Sequence, residues 1–129
     1  ATWKKHINIA VNMSPVQFFK TFVVSLKSSD FACSILPVSQ KLSLKSIAKA
    51  VGTKKADMAE GLDVERITGY VLGGVSPLGQ KKRLVTVIDR SVQDKTSVYI
   101  SGGKRGLEIE ISPAALCECL SASFANITA

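Results

Sequence analysis

Thr68-Gly69-Tyr70-Val71-Leu72-Gly73-Gly74-Val75-Ser76-Pro77-Leu78-Gly79-Gln80-Lys81-Lys82-Arg83-Leu84 and Val98-Tyr99-Ile100-Ser101-Gly102-Gly103-Lys104-Arg105-Gly106-Leu107-Glu108-Ile109-Glu110 are built alike. Each joins short β-prone stretches through a glycine-rich turn that carries cations. Residues 68–75 and 83–89 read as strands about the first turn, and residues 97–101 and 107–111 flank the second. Such turns set backbone N–H donors beside fixed positive charge and need no nucleophile of their own.

The rest of the chain fits a mixed sheet around these turns. Residues 18–26 and 31–38 are two β-rich runs about the polar turn Lys27-Ser28-Ser29-Asp30, the pattern of a hairpin. Apolar side chains at 44, 47, 48 and 51 share one helical face, and Gly52 supplies a C-cap, so a helix is expected over 43–51. Residues 58–66, with Asp57, Glu60, Asp63 and Glu65, read as a short surface helix. Ser112-Pro113 is an N-cap with proline at the first helical position, ahead of a terminal helix over 114–124. No repeat or linker interrupts the order. The expectation is one α+β domain over residues 1–129.

At 129 residues and 46% hydrophobic content, a domain of this size buries roughly two-thirds of its unfolded surface, enough for one core. No apolar run approaches the roughly 18 residues a membrane span needs. Residues 1–5 lack the order of a secretory signal, and three cysteines are too few for a disulfide scaffold, which fits a reducing, cytoplasmic home. Seventeen Lys+Arg against ten Asp+Glu give a net charge of +7, an excess that suits polyanionic partners. The cations gather at Lys54-Lys55, Lys81-Lys82-Arg83 and Lys104-Arg105. RNA is the partner expected, rather than DNA or a membrane; a merely solubilising surface is the plain alternative.

Several chemistries are missing. The one histidine, His6, lies near the chain start, so a Ser-His-Asp or Cys-His relay has no well-placed base. Cys117 and Cys119, two apart on an expected helix, point in different directions, and no second Cys/His pair completes a zinc set. Residues 102–106 look superficially like a phosphate-binding loop but lack the Walker spacing. No metal and no cofactor are expected.

Both quoted runs closely resemble the YbaK/EbsC proteins, free-standing relatives of the prolyl-tRNA synthetase editing domain. Two further blocks agree in order: Phe19-Lys20-Thr21-Phe22-Val23-Val24 looks like the family's Phe-Lys-Thr-Leu strand, and Lys54-Lys55-Ala56-Asp57-Met58-Ala59 like the segment after its first long helix. The resemblance is strongest over residues 16–111. It implies a mixed, barrel-like β-sheet flanked by helices, and hydrolysis of the ester joining a wrong amino acid, most of all cysteine, to tRNA. Two departures stand out. Glu108 occupies a position where the family has Asp, and residues 3–12 lead almost directly into the first matching strand where relatives carry a longer stretch.

The resemblance assigns roles by position. Lys20 matches the essential lysine, and Gly73 opens the Gly-x-x-x-Pro loop that ends at Pro77 and faces the scissile ester. Phe19, Thr21, Gly74, Ser76, Ser101, Gly102, Gly103 and Glu108 join Pro77 as substrate contacts. Ser76 and Ser101 have no identifiable base, so loop hydrogen bonding suits them better than attack. Lys81, Lys82, Arg83, Lys104 and Arg105 are expected to contact tRNA. The implied mechanism is substrate-assisted: the cysteinyl thiol attacks its own ester carbonyl, which explains the absent nucleophile. The alternatives are a relative that clears Ala-tRNA(Pro) with water, and a non-catalytic tRNA- or synthetase-binding module. Prolyl-tRNA synthetase is a possible partner in a ternary complex.

Overall fold

A computed structural model describes residues 8–9 and 18–129. His6 and most of the segment that departs from the family pattern lie outside the described residues. The described residues form an α+β architecture, with eight strands in two sheets and three helices among them.

The larger sheet grows from the expected hairpin. β2 (Phe19–Leu26) and β3 (Phe31–Pro37) pair antiparallel, from Phe19 opposite Pro37 to Ser25 opposite Phe31, about a 3-10 turn at Lys27–Ser29. Six consecutive residues of β3 are buried, as a strand covered on both faces requires. β5 (Val85–Asp89) lies parallel to β3, and β8 (Ser123–Ala125) parallel to β5. β4 (Ala56–Met58) closes the other edge against the far end of β2, giving the order β4-β2-β3-β5-β8. The smaller sheet has β7 (Glu108–Ile111) between β6 (Val98–Ser101) and β1 (Asn8–Ile9). A single bridge, Phe18 beside Tyr99, connects the two sheets, and those rings lie 5.3 Å apart. The mixed sheet flanked by helices is thus present, but it is not closed into a barrel.

Three helices cover the sheets. α1 (Leu44–Val51) starts where the Ser43 hydroxyl accepts the Ser46 amide at 3.1 Å and ends at Gly52, φ +78°. Its buried Ile47 and Ala48 meet Val24, Leu36 and Val87. α2 (Gly61–Thr68) begins later than the pattern over 58–66 indicates, because Ala56–Met58 is drawn into the sheet by β2. Its last residue, Thr68, bonds back to the Val64 carbonyl at 2.6 Å. Residues 69–75 therefore form a loop, not the expected strand: Gly69 and Gly73 sit at φ +87° and +88°, outside the ladder region. Tyr70 ties the loop down, its hydroxyl donating to the Leu78 carbonyl at 2.6 Å.

α3 (Pro113–Leu120) has the expected Ser112 cap, whose hydroxyl accepts the Ala115 amide at 3.2 Å, but it is four residues shorter than the expected 114–124 at its end. Ser121 turns left-handed, φ +50°, and releases the chain into β8. The cost of that early stop is offset by Arg83, which donates to the Cys119 carbonyl at 3.1 Å and the Ser121 hydroxyl at 3.2 Å.

Asp89, 4% exposed, fastens the C-terminal segment. One carboxylate oxygen accepts the Ile127 amide at 3.0 Å, and the other accepts the Ser91 amide and hydroxyl. Asp89→Ala leaves these buried donors unmet and is expected to cost about 1–3 kcal/mol, with Asp89→Asn losing less. Denaturant midpoints of the two variants check this; an unchanged midpoint for the alanine variant contradicts the role.

Candidate active site

The site is the place where the outer edge of β2 changes partner. The Val38 amide donates to the Phe18 carbonyl at 3.0 Å, so even-numbered residues make the hydrogen-bonded pairs with β3. Odd-numbered residues then turn their amides and carbonyls outward. At one end that edge is covered by the Phe18–Tyr99 bridge to β6. At the other the Val23 carbonyl accepts the Ala59 amide at 3.1 Å, where β4 begins its pairing. Thr21 lies between the two covers, with no strand on its outer edge.

A pocket of about 270 Å³ opens on this gap. It brings together Lys20 and Thr21 from β2, Gly73 from the loop after α2, and Ser101, Arg105 and Glu108 from around the β6–β7 turn. Phe19 and Lys104 line it too. Lys20 and Gly73, distant in sequence, therefore share one cavity.

Lys20 donates to the Val38 carbonyl at 3.3 Å and stands 5.2 Å from the centre of the Phe22 ring. No carboxylate pairs with it among the described residues. Partial burial lowers its pKa from the ordinary lysine value. Gly73 holds φ +88°, and a Cβ there would stand 2.7 Å from the Arg105 guanidinium nitrogen Nη2. Its amide has no acceptor among the described residues, whereas the Gly74 amide is taken by the Val71 carbonyl at 3.0 Å. The free donor of the pair is Gly73.

Two buried side-chain oxygens among the described residues lack a hydrogen-bond partner, Thr21 Oγ1 and Glu108 Oε2. Both belong to residues lining this pocket. Desolvation raises the Glu108 pKa above the ordinary carboxylate range. Orphaned polar atoms are rare in folded proteins, and these two belong to residues at one cavity.

The other expected site residues, Ser101 apart, are not among those lining the pocket. Gly74 is buried at a seam: a Cβ would stand 3.0 Å from Lys104 Cα, so glycine lets the two loops touch. Gly102 and Gly103 do the same against Leu107 and Tyr70. Ser76, 2% exposed, accepts the Leu78 amide at 3.1 Å on its hydroxyl, and Ser101 accepts the Gly103 amide at 3.2 Å. Both serines are loop hydrogen-bonders. Pro77 and Arg83 line a separate pocket with Cys119. Arg83 caps α3, and Lys81 packs its stem near Gly69.

The sequence reading missed the apolar wall, formed by Phe22, Val38, Met58, Leu72 and Val75 among others. Leu72, 60% exposed in a glycine loop, was the available signal. No cluster of His, Cys, Asp and Glu among the described residues could hold a metal ion. Burial pushes the Cys33 thiol up to about 12, so it supplies no thiolate. No helix among the described residues is long and apolar enough to cross a membrane.

Comparison with known proteins bears on the family and the fold. Over 112 residues the chain is 38% identical to the "Putative Cys-tRNA(Pro)/Cys-tRNA(Cys) deacylase EbsC" of Enterococcus faecalis, an alignment covering 87% of this chain and 68% of that protein. A solved hypothetical protein superposes with a TM-score of 0.83 at 28% identity, covering 91% of this chain and 77% of the other. The structure of "a putative trans-editing enzyme for prolyl tRNA synthetase" superposes with a TM-score of 0.84 at 22% identity, over 90% and 73%, and speaks to the fold alone. The profile of the aminoacyl-tRNA editing domain matches residues 4–119, and with these relatives it establishes that the chain belongs to the aminoacyl-tRNA editing domain family.

Proposed function

We propose that the protein clears cysteine mischarged onto tRNA(Pro), using the thiol of the substrate as nucleophile. The observation that carries this reading is the composition of the pocket. Among the described residues it offers a cation, Lys20, and an unspent amide, Gly73, while the hydroxyls lining it are those of Thr21 and of a Ser101 already engaged in its loop. An aminoacyl ester seated there meets electrostatic help without a conventional nucleophile. The name of the Enterococcus relative supports the choice of amino acid.

The cysteinyl sulfur attacks its own carbonyl carbon, the C–O bond to the terminal ribose breaks, and the ribose oxygen takes the proton. Free tRNA and a cyclic thioester result, and water opens the thioester to cysteine. Lys20 and the Gly73 amide stabilise the negative charge that grows on the carbonyl oxygen. Lys104 and Arg105, exposed at the rim, hold the terminal phosphates. Prolyl-tRNA synthetase, delivering the tRNA, is the partner this reading favours.

One observation favours a second reading. Glu108, half-buried with an unpartnered oxygen, could activate water against the ester, as clearance of alanine requires. The two differ in pH dependence. A thiol route follows ionisation of cysteine toward about 8.5, whereas a water route levels off once pH passes the raised pKa of Glu108.

Three measurements test the proposal. Lys20→Ala, a change at a half-buried strand position, is expected to keep its unfolding midpoint and lose most single-turnover deacylation; a full rate contradicts the assignment. Gly73→Val blocks the amide and strains φ +88°, for an expected loss of about 10²- to 10³-fold. Cys-tRNA is expected to react far faster than Ser-tRNA and to yield a trappable cyclic thioester, with an alkaline limb in the rate profile that survives Glu108→Gln. Equal rates for the two esters, or a limb abolished by Glu108→Gln, favour the water route.

A further inference from the structure

A second concave surface lies on the same edge of the larger sheet. It encloses about 240 Å³ and is lined by Leu26, Lys27, Lys54, Lys55 and Asp57. Three cations face one carboxylate. Asp57 reaches only Lys55, at 4.0 Å, with both side chains more than half exposed, a pairing that solvent screens. Lys27 and Lys54 have no salt-bridge partner among the described residues.

The fold fixes where this groove stands relative to the active site. Lys20 and Leu26 are the two ends of one strand run, and six residues at about 3.3 Å each set them about 20 Å apart. β4 provides a second link: Asp57 lines the groove and the next residue, Met58, lines the active-site pocket. A stacked strand of nucleic acid advances about 3.4 Å per nucleotide, so about 20 Å corresponds to about six nucleotides. A tRNA whose 3′ terminal ester sits at Lys20 has by then passed from its short single-stranded end into the paired acceptor stem.

We propose that Lys27, Lys54 and Lys55 form an anchoring site for acceptor-stem phosphates, separate from the contacts at the terminal nucleotide. The site rests on the tRNA reading given above and places the duplex along the β2–β4 edge. Lys81-Lys82-Arg83 is a weaker candidate for this task, since Arg83 is held by the end of α3. Lysine suits the work: it meets phosphate as a point charge and reads no sequence.

Binding of uncharged RNA, which needs no turnover, tests the site. The triple variant Lys27→Ala/Lys54→Ala/Lys55→Ala is titrated against an acceptor-stem hairpin and against a single-stranded oligonucleotide of the 3′ end, at several salt concentrations. For the hairpin, the slope of log affinity on log salt is expected to fall by about two to three, with about a tenfold or greater loss at low salt. The oligonucleotide is expected to bind as it does to the parent protein, and the thermal midpoint to stay put, since all three side chains are exposed. An unchanged hairpin slope, or an equal loss on both RNAs, overturns the proposal while leaving the deacylase reading standing. If the parent protein binds neither RNA at low salt, both fall.

Discussion

A strand inside a sheet must hydrogen-bond along both edges, and β2 meets this demand with three partners where two would ordinarily serve. β3 accompanies one edge throughout. The other edge is shared: β6 touches it at Phe18, β4 pairs it from Val24 to Leu26, and the sheets diverge between them. Both neighbours twist away, as strands do, and the divergence leaves a gap one or two residues long. Everything the pocket contains is there because some element borders that gap. Lys20 and Thr21 lie in it, Glu108 and Ser101 approach from the smaller sheet, and the Gly73 loop arrives over the top from α2.

Such a gap is costly to stability. Thr21 Oγ1 and Glu108 Oε2 are buried without partners, and a lysine is held in partial burial with no carboxylate beside it. For Glu108 the sign follows from its raised pKa: the folded state holds the proton more tightly than the unfolded chain, so stability falls as pH rises through the carboxylate range toward that value. For Lys20, with a lowered pKa, the folded state releases its proton more readily, which again opposes folding wherever the amine is charged. The core answers with three buried clusters, one on each side of the larger sheet and one beneath α2. Local strain at an active site, offset by ordinary packing elsewhere, is a common arrangement.

Much of this was legible in the residues. The hairpin, α1 with Ser43 and Gly52 at its ends, and the Ser112-Pro113 start of α3 rest on local signals, and local signals are what a sequence displays. Lys20, Gly73 and Glu108, which the resemblance singles out, line one pocket. The failures have a common cause, competition from distant partners. Met58 read as the start of a helix because nothing nearby reveals the open edge of β2 that claims Ala56–Met58. Residues 121–124 read as the end of a helix, but β5 offered an edge and Arg83 made the early stop tolerable. Residues 69–75 had strand-like composition, and glycines at positive φ overrode it. Ser76, Gly102 and Gly103 match the family as well as Gly73 does, yet they act on the loops themselves, a distinction only packing reveals.

The division of labour among the glycines bears on why the site can work with so little chemistry. Gly74 is fixed by the backbone of Lys104, and its amide is spent on Val71, so it cannot move without separating two loops. That rigidity passes to its neighbour. Among the described residues the Gly73 amide has no acceptor, and its loop is pinned on one side by Tyr70 and on the other by the Lys104 turn. On the proposed mechanism such a donor needs no reorganisation when charge develops on a carbonyl oxygen, which is where preorganised dipoles exceed water as a solvent. On the thiol route proposed above, the substrate contributes the nucleophile, a soft thiol ionised in part at neutral pH. On that route an ester whose side chain lacks the thiol would occupy the same space and react slowly, so the proposed discrimination between cysteine and serine requires no difference in binding.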